Sequence, residues 1–497
     1  MVDTRSTLTQ KTVSGAFWAS ASRFGQQGLS LVATAILAHL LPPRVYGIVG
    51  MSSIATGFIA LFTDMGMSSA IVQREVIDDH FLSSLFWTSL VLGVGASAML
   101  LAAAPAVANF YHEPQLVSVF YTLSVGFIFS GVALVPYSLM NRQMAFKSIA
   151  IVELVASAAG SGLAVGLAVS GAGLWSLVFS SLGSSALRAT LICIIGGWRP
   201  KFVWIRADVR SIARYSLNLS GFSVFNYFTR NADNLLIGRY LGATQLGYYQ
   251  LAYNLMLYPI QTIGQVLGRV LFPAFARVQH ENCRFRDAYL RVSGFIALAA
   301  FPLMVGLFLT ADNLIGVVFG QMWLPCVPLV MILCPVGMMQ AVGTTVGQIY
   351  TAKGRTDWMF YWGLGAGIVT VASFVLGLRW GAFGVAACYV TASGLLTYPG
   401  FAIPFRLIDL SMIGFAKSLT TASRYSLLMA VAVVLTKVGL ARFGVTAPLP
   451  VLVVMVAVGA TVYVGALLWR KPPMVKDLLS LLSESGFSLR RRPAVVA

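Results

Sequence analysis

Charge is scarce in this sequence: of its 497 residues, 10% are charged and 58% are hydrophobic. A soluble domain carries about 25% charged residues, so this composition excludes a water-soluble globular protein. Histidine and cysteine are also scarce, with four and five copies respectively. The cysteines form no C-x-x-C pair and lie near no histidine cluster, which excludes a zinc site and a disulfide framework.

Motifs that carry catalytic chemistry are missing as well. The sequence contains no G-x-x-x-x-G-K-[ST] phosphate loop, no H-E-x-x-H zinc motif and no G-x-S-x-G nucleophile turn. No polar insert is large enough to form a nucleotide-binding domain. We therefore predict that the chain is not an enzyme and uses neither a cofactor nor a metal.

Long apolar runs extend instead from one end of the chain to the other. A helix that crosses a bilayer needs about 20 apolar residues, and windows of about 19 residues locate about fourteen such helices. We therefore predict an all-α integral membrane protein with about 14 transmembrane helices. The predicted spans are 13–37, 45–63, 84–107, 116–138, 149–169, 172–196, 215–238, 247–268, 293–311, 325–350, 358–378, 381–404, 423–440 and 447–469.

Basic residues outnumber acidic ones by 34 to 16, which gives a net charge of +18. If the N-terminus is cytoplasmic, 26 of the basic residues fall in inner segments or at the inner end of a span, five in outer loops or near the outer end of a span, and three deeper within spans. Cytoplasmic loops of membrane proteins carry such an excess of Lys and Arg. The asymmetry predicts that both termini are cytoplasmic, and it explains the positive charge without a nucleic-acid partner.

Two pairs of segments indicate an internal duplication. Residues 37–47 align with residues 237–247, and glycine turns at 171–173 and 381–384 precede spans six and twelve. Six spans separate equivalent points, so both halves enter the membrane in the same direction. This predicts two pseudo-twofold-related six-helix lobes around a central cavity that alternates between the two faces. The predicted domains are an N-lobe (1–200), a C-lobe (201–410) with a basic cytoplasmic linker (197–214) before it, and two C-terminal helices with a basic tail (411–497).

Polar side chains gather in the first span of each lobe, where lipid contact would cost several kcal/mol. Equivalent helices of a two-lobed transporter line the cleft, so these residues predict a wet, partly cationic cavity. A guanidinium binds phosphate in a bidentate manner, which makes Arg23 and Arg230 candidate ligands of a phosphate group. The structural alternative is that Arg230 pairs with Asp233 and that Arg23 makes local contacts. The amides of these two spans that we single out as candidate glycan ligands are Gln26, Gln27, Asn226 and Asn234.

The eighth span presents a polar face of amides and tyrosines at helical spacing. On a cavity wall such a face suits the hydroxyl groups of a sugar. The alternative is hydrogen bonding between neighbouring helices. The amides that we single out as candidate glycan ligands are Gln250, Asn254 and Gln261.

Two carboxylates lie within predicted spans and are candidates for ion coupling. Asp233 belongs to span seven and Glu153 to span five. The alternative for Glu153 is an ion pair with Arg188 of span six. Because the chain has no nucleotide-binding domain, the energy for transport must come from a gradient or from the substrate's own concentration difference.

Several motifs together resemble a known family. The strongest is DNLLIGRYLG at residues 233–242, followed by GYY at 247–249 and LFPAFAR at 271–277. Weaker support comes from RQMAFK at 142–147 and GLWSL at 173–177. The chain thereby resembles the Wzx-type polysaccharide-repeat-unit flippases of the multidrug/oligosaccharidyl-lipid/polysaccharide superfamily. Within it, the chain resembles the branch that handles colanic-acid-like and succinoglycan-like exopolysaccharides and lipopolysaccharides.

This resemblance covers about residues 10–410 and implies a function. Similar flippases move an undecaprenyl-diphosphate-linked oligosaccharide from the cytoplasmic to the periplasmic leaflet of the bacterial inner membrane. In them, arginines on helices 1 and 7 attract the lipid diphosphate, which implies that role for Arg23 and Arg230 here. The resemblance also implies membrane lipids, a polymerase and chain-length proteins as partners.

Two other functions stay open at the level of sequence. A cation-coupled multidrug antiporter of the same superfamily would favour a buried carboxylate and an aromatic pocket, and the two intramembrane arginines argue against it. A non-transporting scaffold for polysaccharide assembly enzymes would have no need of polar cleft helices. A scaffold's polymer output would not change when the charge of Arg23 or Arg230 is removed.

Overall fold

The computed structural model describes residues 2–74, 77–277, 281–445 and 447–470. Within these ranges, it describes the backbone alone at residues 2–14, 16–17, 206–223, 262–277 and 470. All regular elements of the described ranges are helical, which confirms the predicted all-α class. The predicted basic tail, 471–497, lies outside the described residues.

Seven helices precede a long eighth one. They are α1 (Val2–Leu40), α2 (Pro43–Ala60), α3 (Met67–Gln73), α4 (Asp79–Tyr111), α5 (Gln115–Arg142), α6 (Phe146–Val169) and α7 (Leu174–Gly196). The eighth, α8 (Arg206–Arg277), is broken at Gly242, whose φ of 83° and ψ of 174° are not helical. A positive φ costs glycine little, which is why the chain bends at this residue. We call the two parts of α8, residues 206–241 and 243–277, its first and second arms.

Seven further helices follow α8. They are α9 (Asn282–Val318), α10 (Val327–Gly343), α11 (Val346–Ala352), α12 (Thr356–Gly377), α13 (Gly381–Phe405), α14 (Met412–Arg442) and α15 (Pro448–Arg470). Short 3-10 segments, Gln321–Cys326 and Leu378–Trp380, precede α10 and α13.

The predicted spans fall on these helices. Ten stretches of the described residues are long and apolar enough to cross a membrane. Spans seven and eight correspond to the two arms of α8, on either side of Gly242. The agreement has a simple cause, because a chain that crosses lipid must satisfy all its backbone hydrogen bonds internally.

The duplicated segments 37–47 and 237–247 pack directly against each other. A Cβ atom added to Gly47 would overlap the carbonyl oxygen of Ala243, and one added to Gly247 would overlap the carbonyl oxygen of Pro43. Because position 43 aligns with 243 and position 47 with 247, the contact is reciprocal. Reciprocal contacts are characteristic of surfaces related by a two-fold axis. The predicted duplication therefore has a physical counterpart in the packing of α2 on α8.

A second feature repeats between the halves. The turn after α5 places Met144 at a φ of 56°, and the turn after α11 places Gly354 at a φ of 66°. In the first turn the N–H of Ala145 donates to the Met140 carbonyl at 2.9 Å. In the second turn the N–H of Arg355 donates to the Tyr350 carbonyl, also at 2.9 Å. The same left-handed helix end thus recurs in both halves.

The chain forms two compact units. The first comprises Met1–Gln250 and Phe374–Val385. Within it α4 packs along α5, α1 along α6, and α7 against both α5 and α6. The second comprises Leu251–Ser373 and Ala386–Ala497, in which α9 packs against α10, α14 and α15. The first arm of α8 belongs to the first unit, which therefore contains both segments of the reciprocal contact. The boundaries of the N-lobe and the C-lobe stay predictions.

Candidate functional site

A carboxylate of α6 holds the polar face of α1. Gln26 Nε2 donates to Glu153 Oε2 at 3.2 Å and to Ser22 Oγ at 2.8 Å. The Tyr137 hydroxyl, on α5, donates to Glu153 Oε1 at 3.4 Å. The alternative of a Glu153–Arg188 ion pair is wrong, because both carboxylate oxygens accept from neutral donors while Arg188 is exposed.

Both candidate phosphate ligands present exposed side chains. Arg23 lies on α1 and Arg230 on the first arm of α8, within the same unit. The alternative ion pair between Arg230 and Asp233 is not formed, because the two oxygens of Asp233 accept hydrogen bonds from other groups. The Arg230 guanidinium is thus available for an anion from outside the chain.

Asp233 is only 2% exposed and ties the two arms of α8 together. Its Oδ2 accepts from the Tyr249 hydroxyl at 2.9 Å, and its Oδ1 accepts from the Asn234 N–H at 2.7 Å. Tyr249 belongs to the second arm, so the first of these bonds spans the break at Gly242. Beside the carboxylate, the side-chain oxygen of Asn234 is buried and, among the described residues, has no hydrogen-bond partner. The result is a buried site rich in acceptors.

The predicted glycan face of the second arm of α8 divides between the two units. Gln250 belongs to the first unit, where a Cβ atom added to Gly50 would overlap its amide group. Its side chain therefore packs directly on α2. Asn254 and Gln261 belong to the second unit. The exposed candidate amides are Asn226, Asn254 and Gln261, and Gln27 is half-buried.

A cavity in the first unit was not predicted. It has a volume of about 300 Å³ and lies between α2, α5 and α7. All the described residues that line it are uncharged. We call it the hydroxyl cavity after the six hydroxyl side chains in its wall, which are Ser52, Ser53, Thr56, Ser130, Ser181 and Ser185.

The hydroxyl protons in this wall are largely used within the helices themselves. Ser53 Oγ donates to the Val49 carbonyl at 2.9 Å, and Ser130 Oγ donates to the Gly126 carbonyl at 3.0 Å. Thr56 Oγ1 donates to a carbonyl of α2 at 2.9 Å in the same way. The lone pairs of these oxygens stay available, so the wall can accept hydrogen bonds from a bound molecule.

A weak signal for this cavity exists in the sequence. Ser52 and Thr56, like Ser181 and Ser185, are four residues apart and so share one face of a helix. Small and hydroxyl residues at that spacing are equally typical of close helix packing in membranes. Spacing within one helix therefore could not predict that faces from three helices would converge on a cavity.

Metal-binding groups are not assembled in the described part of the chain. Within it, no group of three or more His, Cys, Asp or Glu residues is placed to hold a metal ion. The cysteines at 193, 283, 326, 334 and 388 are all free thiols.

Comparisons with known proteins agree on one class. A family model described as "Polysaccharide biosynthesis protein" matches residues 36–328. The chain is 29% identical over 390 residues to the lipopolysaccharide biosynthesis protein WzxC of Escherichia coli (strain K12), which covers 76% of this chain and 77% of that protein. It is 25% identical over 480 residues to the succinoglycan biosynthesis transport protein ExoT of Rhizobium meliloti (strain 1021), with 96% of each covered.

The fold is similar to that of a solved structure over most of both chains. That structure is the lipid II flippase MurJ in an inward closed conformation, with a TM-score of 0.75 and 16% sequence identity. The match covers 91% of this chain and 99% of that one. At this identity the likeness shows the fold alone.

Proposed function

Since the chain belongs to the polysaccharide biosynthesis protein family, we propose that it is a flippase for a lipid-linked oligosaccharide. It moves an undecaprenyl-diphosphate-linked repeat unit from the cytoplasmic to the periplasmic leaflet of the bacterial inner membrane, by alternating access. The product serves exopolysaccharide or lipopolysaccharide biosynthesis. The names of two relatives, which refer to lipopolysaccharide and succinoglycan biosynthesis, support this substrate class.

One observation carries the proposal: exposed arginines on two membrane helices of the same unit. A guanidinium that faces hydrocarbon is costly, so the exposed Arg230 requires water or an anion beside it, and the exposed Arg23 adds a second cationic side chain on α1. A diphosphate supplies two negative groups whose geometry matches a guanidinium fork. The polyprenyl tail stays in the lipid while the polar head group crosses.

The amides of α1 and α8 are the candidate glycan ligands. An amide offers both donors and acceptors, as the hydroxyl groups of a sugar require. The exposed or half-buried state of most of these side chains supports this role. The set is Gln26, Gln27, Asn226, Asn234, Gln250, Asn254 and Gln261.

Asp233 and Glu153 are the proposed coupling groups. Asp233 is the stronger of the two, because it is almost fully buried and its hydrogen-bond donors are neutral. A proton or a metal cation that binds there would change the link between the two arms of α8. Glu153 is half-buried and would act through its hydrogen bond to Gln26.

The proposed topology places both termini in the cytoplasm. The support is the charge count of 26 basic residues inside against five outside. In this arrangement the flippase delivers its cargo to a polymerase and to chain-length proteins at the periplasmic face. It translocates a substrate and does not convert it.

The alternative functions fit less well. A multidrug antiporter would place carboxylates against a cationic drug, yet Arg23 and Arg230 expose cationic side chains on their helices. A scaffold would not need those charges within membrane helices. The name of the relative ExoT, a transport protein, favours transport over a scaffold.

The test is the leaflet distribution of the lipid-linked oligosaccharide in cells depleted of this protein. Cells that express Arg23→Ala or Arg230→Ala should accumulate the oligosaccharide on the cytoplasmic leaflet, at least tenfold above the wild type, because each change removes a charged hydrogen bond worth about 1.5–3 kcal/mol. The matched control is Arg442→Ala, which removes an exposed arginine at the end of α14.

Normal transport by depleted cells would refute the flippase proposal. Normal transport by both arginine variants, at wild-type expression, would refute the role of these two residues. It would favour the scaffold and antiporter hypotheses over a flippase with a cationic substrate site.

A further inference from the structure

We propose that the hydroxyl cavity binds one neutral sugar ring of the transported glycan. The inference rests on the proposed function and adds to it a sugar-binding site whose wall contains none of the candidate amides of α1 and α8. Four properties of the cavity support it: its exposure, its volume, its hydrogen-bonding character and its lack of charge.

Three of the six hydroxyl groups are exposed although they lie on apolar membrane helices. They are Ser53 on α2, Ser130 on α5 and Ser181 on α7. An exposed serine gains nothing from lipid contact. Three that converge from different helices on one opening give a wall that a polar ligand can reach.

The volume limits the size of the ligand. At about 300 Å³ the hydroxyl cavity lies at the lower end of the range of about 300–1,000 Å³ for small-molecule sites. One pyranose ring suits this space, whereas a whole oligosaccharide does not. The cavity is therefore a site for a single residue of the glycan.

The hydrogen-bonding character of the wall favours a ligand that donates. Because Ser53, Thr56 and Ser130 give their protons to carbonyl groups of their own helices, their oxygens face the ligand as acceptors. Sugar hydroxyls are donors and can bond to all three. Apolar side chains such as Val49 and Phe127 complete the wall and suit the C–H face of a sugar ring.

The absence of charge selects against other parts of the substrate. A diphosphate needs a cation, and a cationic drug needs a carboxylate, but the described lining residues are all uncharged. Neither Arg23 nor Arg230 belongs to the wall. The two sites thus recognise different parts of the substrate. The charged arginines bind the diphosphate, and the hydroxyl cavity binds a neutral sugar.

The test compares two lipid probes on the purified full-length protein in nanodiscs. The probes are undecaprenyl diphosphate and undecaprenyl-diphosphate-glucose. The wild type should bind the glycosylated lipid at least tenfold more tightly. The triple variant Ser53→Ala/Ser130→Ala/Ser181→Ala should lose this preference and keep its affinity for undecaprenyl diphosphate. The control is Ser118→Ala, an exposed serine of α5 that donates to its own helix but lies outside the cavity wall.

A second variant fills the cavity without removing a hydroxyl group. Gly126 lies in the wall, and a Cβ atom there meets nothing within 4 Å. Gly126→Leu should therefore fold and should weaken binding of the glycosylated probe tenfold or more, with undecaprenyl diphosphate unaffected. Its control is Gly162→Leu on α6, where the Cβ atom also meets open space.

The outcomes separate this inference from the function on which it rests. If the wild type binds both probes equally, or if the triple variant and Gly126→Leu keep the preference, the cavity is not a sugar site. Binding and transport of the lipid would in that case still support the proposed flippase function. If the wild type binds neither probe, the proposed function fails and the inference fails with it.

Discussion

The helices α1 and α8, which reach the contact between the duplicated segments 37–47 and 237–247, satisfy the hydrogen bonds of their polar side chains in different ways. On α1, Gln26 contacts a carboxylate of another helix, Glu153, 127 residues away in sequence. On α8, the carboxylate is its own Asp233, and the partner, Tyr249, lies only 16 residues further along the chain. The backbone contact between the duplicated segments is nevertheless the same from both sides.

This difference separates two kinds of constraint. Close backbone approach has one solution, a glycine without a Cβ atom, so both copies of the duplicated segment keep it. A buried polar group needs only some partner with good geometry, and that partner can come from anywhere in the fold. Packing at the contact is therefore symmetric, whereas the polar chemistry of the helices is not.

The largest effect should come from the glycines themselves. Gly47→Val and Gly247→Val each place a side chain on a facing carbonyl group, and each should lower the free energy of unfolding by about 3 kcal/mol. Thermal unfolding of the detergent-purified variants measures this loss. Gly95→Val on α4, where a Cβ atom meets nothing within 4 Å, is the matched control. A large loss of unfolding free energy in one glycine variant and none in the other would show that the two sides of the contact are not equivalent.

A smaller effect should follow the loss of the hydrogen bond across the α8 break. Tyr249→Phe removes a hydroxyl donor from the buried Asp233 carboxylate and should cost about 1–3 kcal/mol. The same unfolding measurement applies. Tyr240→Phe is the control, since that side chain is 65% exposed. Equal stability of the two variants would mean that the two arms of α8 do not depend on this bond.

The smallest effect is expected on α1. Gln26→Ala should cost about 0.5–1.5 kcal/mol, because the half-buried Glu153 keeps its hydrogen bond from Tyr137. Ser30→Ala, an exposed position of the same helix, should change nothing. A loss for Gln26→Ala that equals the loss for Tyr249→Phe would remove the contrast between α1 and α8.

The positions of the helices could be predicted, although helices such as α9 (Asn282–Val318) extend well beyond their predicted spans. The span 149–169 lies within α6, and the outer turn at 171–173 places Gly171 at a φ of 84°, as glycine allows. Partners were harder to predict: one alternative for Glu153 was an ion pair with Arg188, whereas its carboxylate accepts hydrogen bonds from Gln26 and Tyr137. The sequence lists the polar groups of a helix but does not indicate which faces of distant helices will meet.

The hydroxyl cavity illustrates the same limit within the candidate site. Arg23 and Arg230 were identifiable because a charge in an apolar span is costly wherever it lies. Ser53 and Ser130 were not, because a serine that donates to its own helix is tolerated anywhere along a span. Their importance depends on a neighbour that comes from a different part of the chain.

By itself, the sequence determined the membrane class, the all-helical fold and the duplicated glycine turns. Each of these follows from local physics, namely the length of an apolar run and the conformational freedom of glycine. Only the tertiary structure decided that Gly47 meets Ala243, that Glu153 meets Gln26 and that hydroxyl groups of α2, α5 and α7 line one cavity. Those contacts join residues far apart in the chain, and which of them form depends on how every helix packs at once.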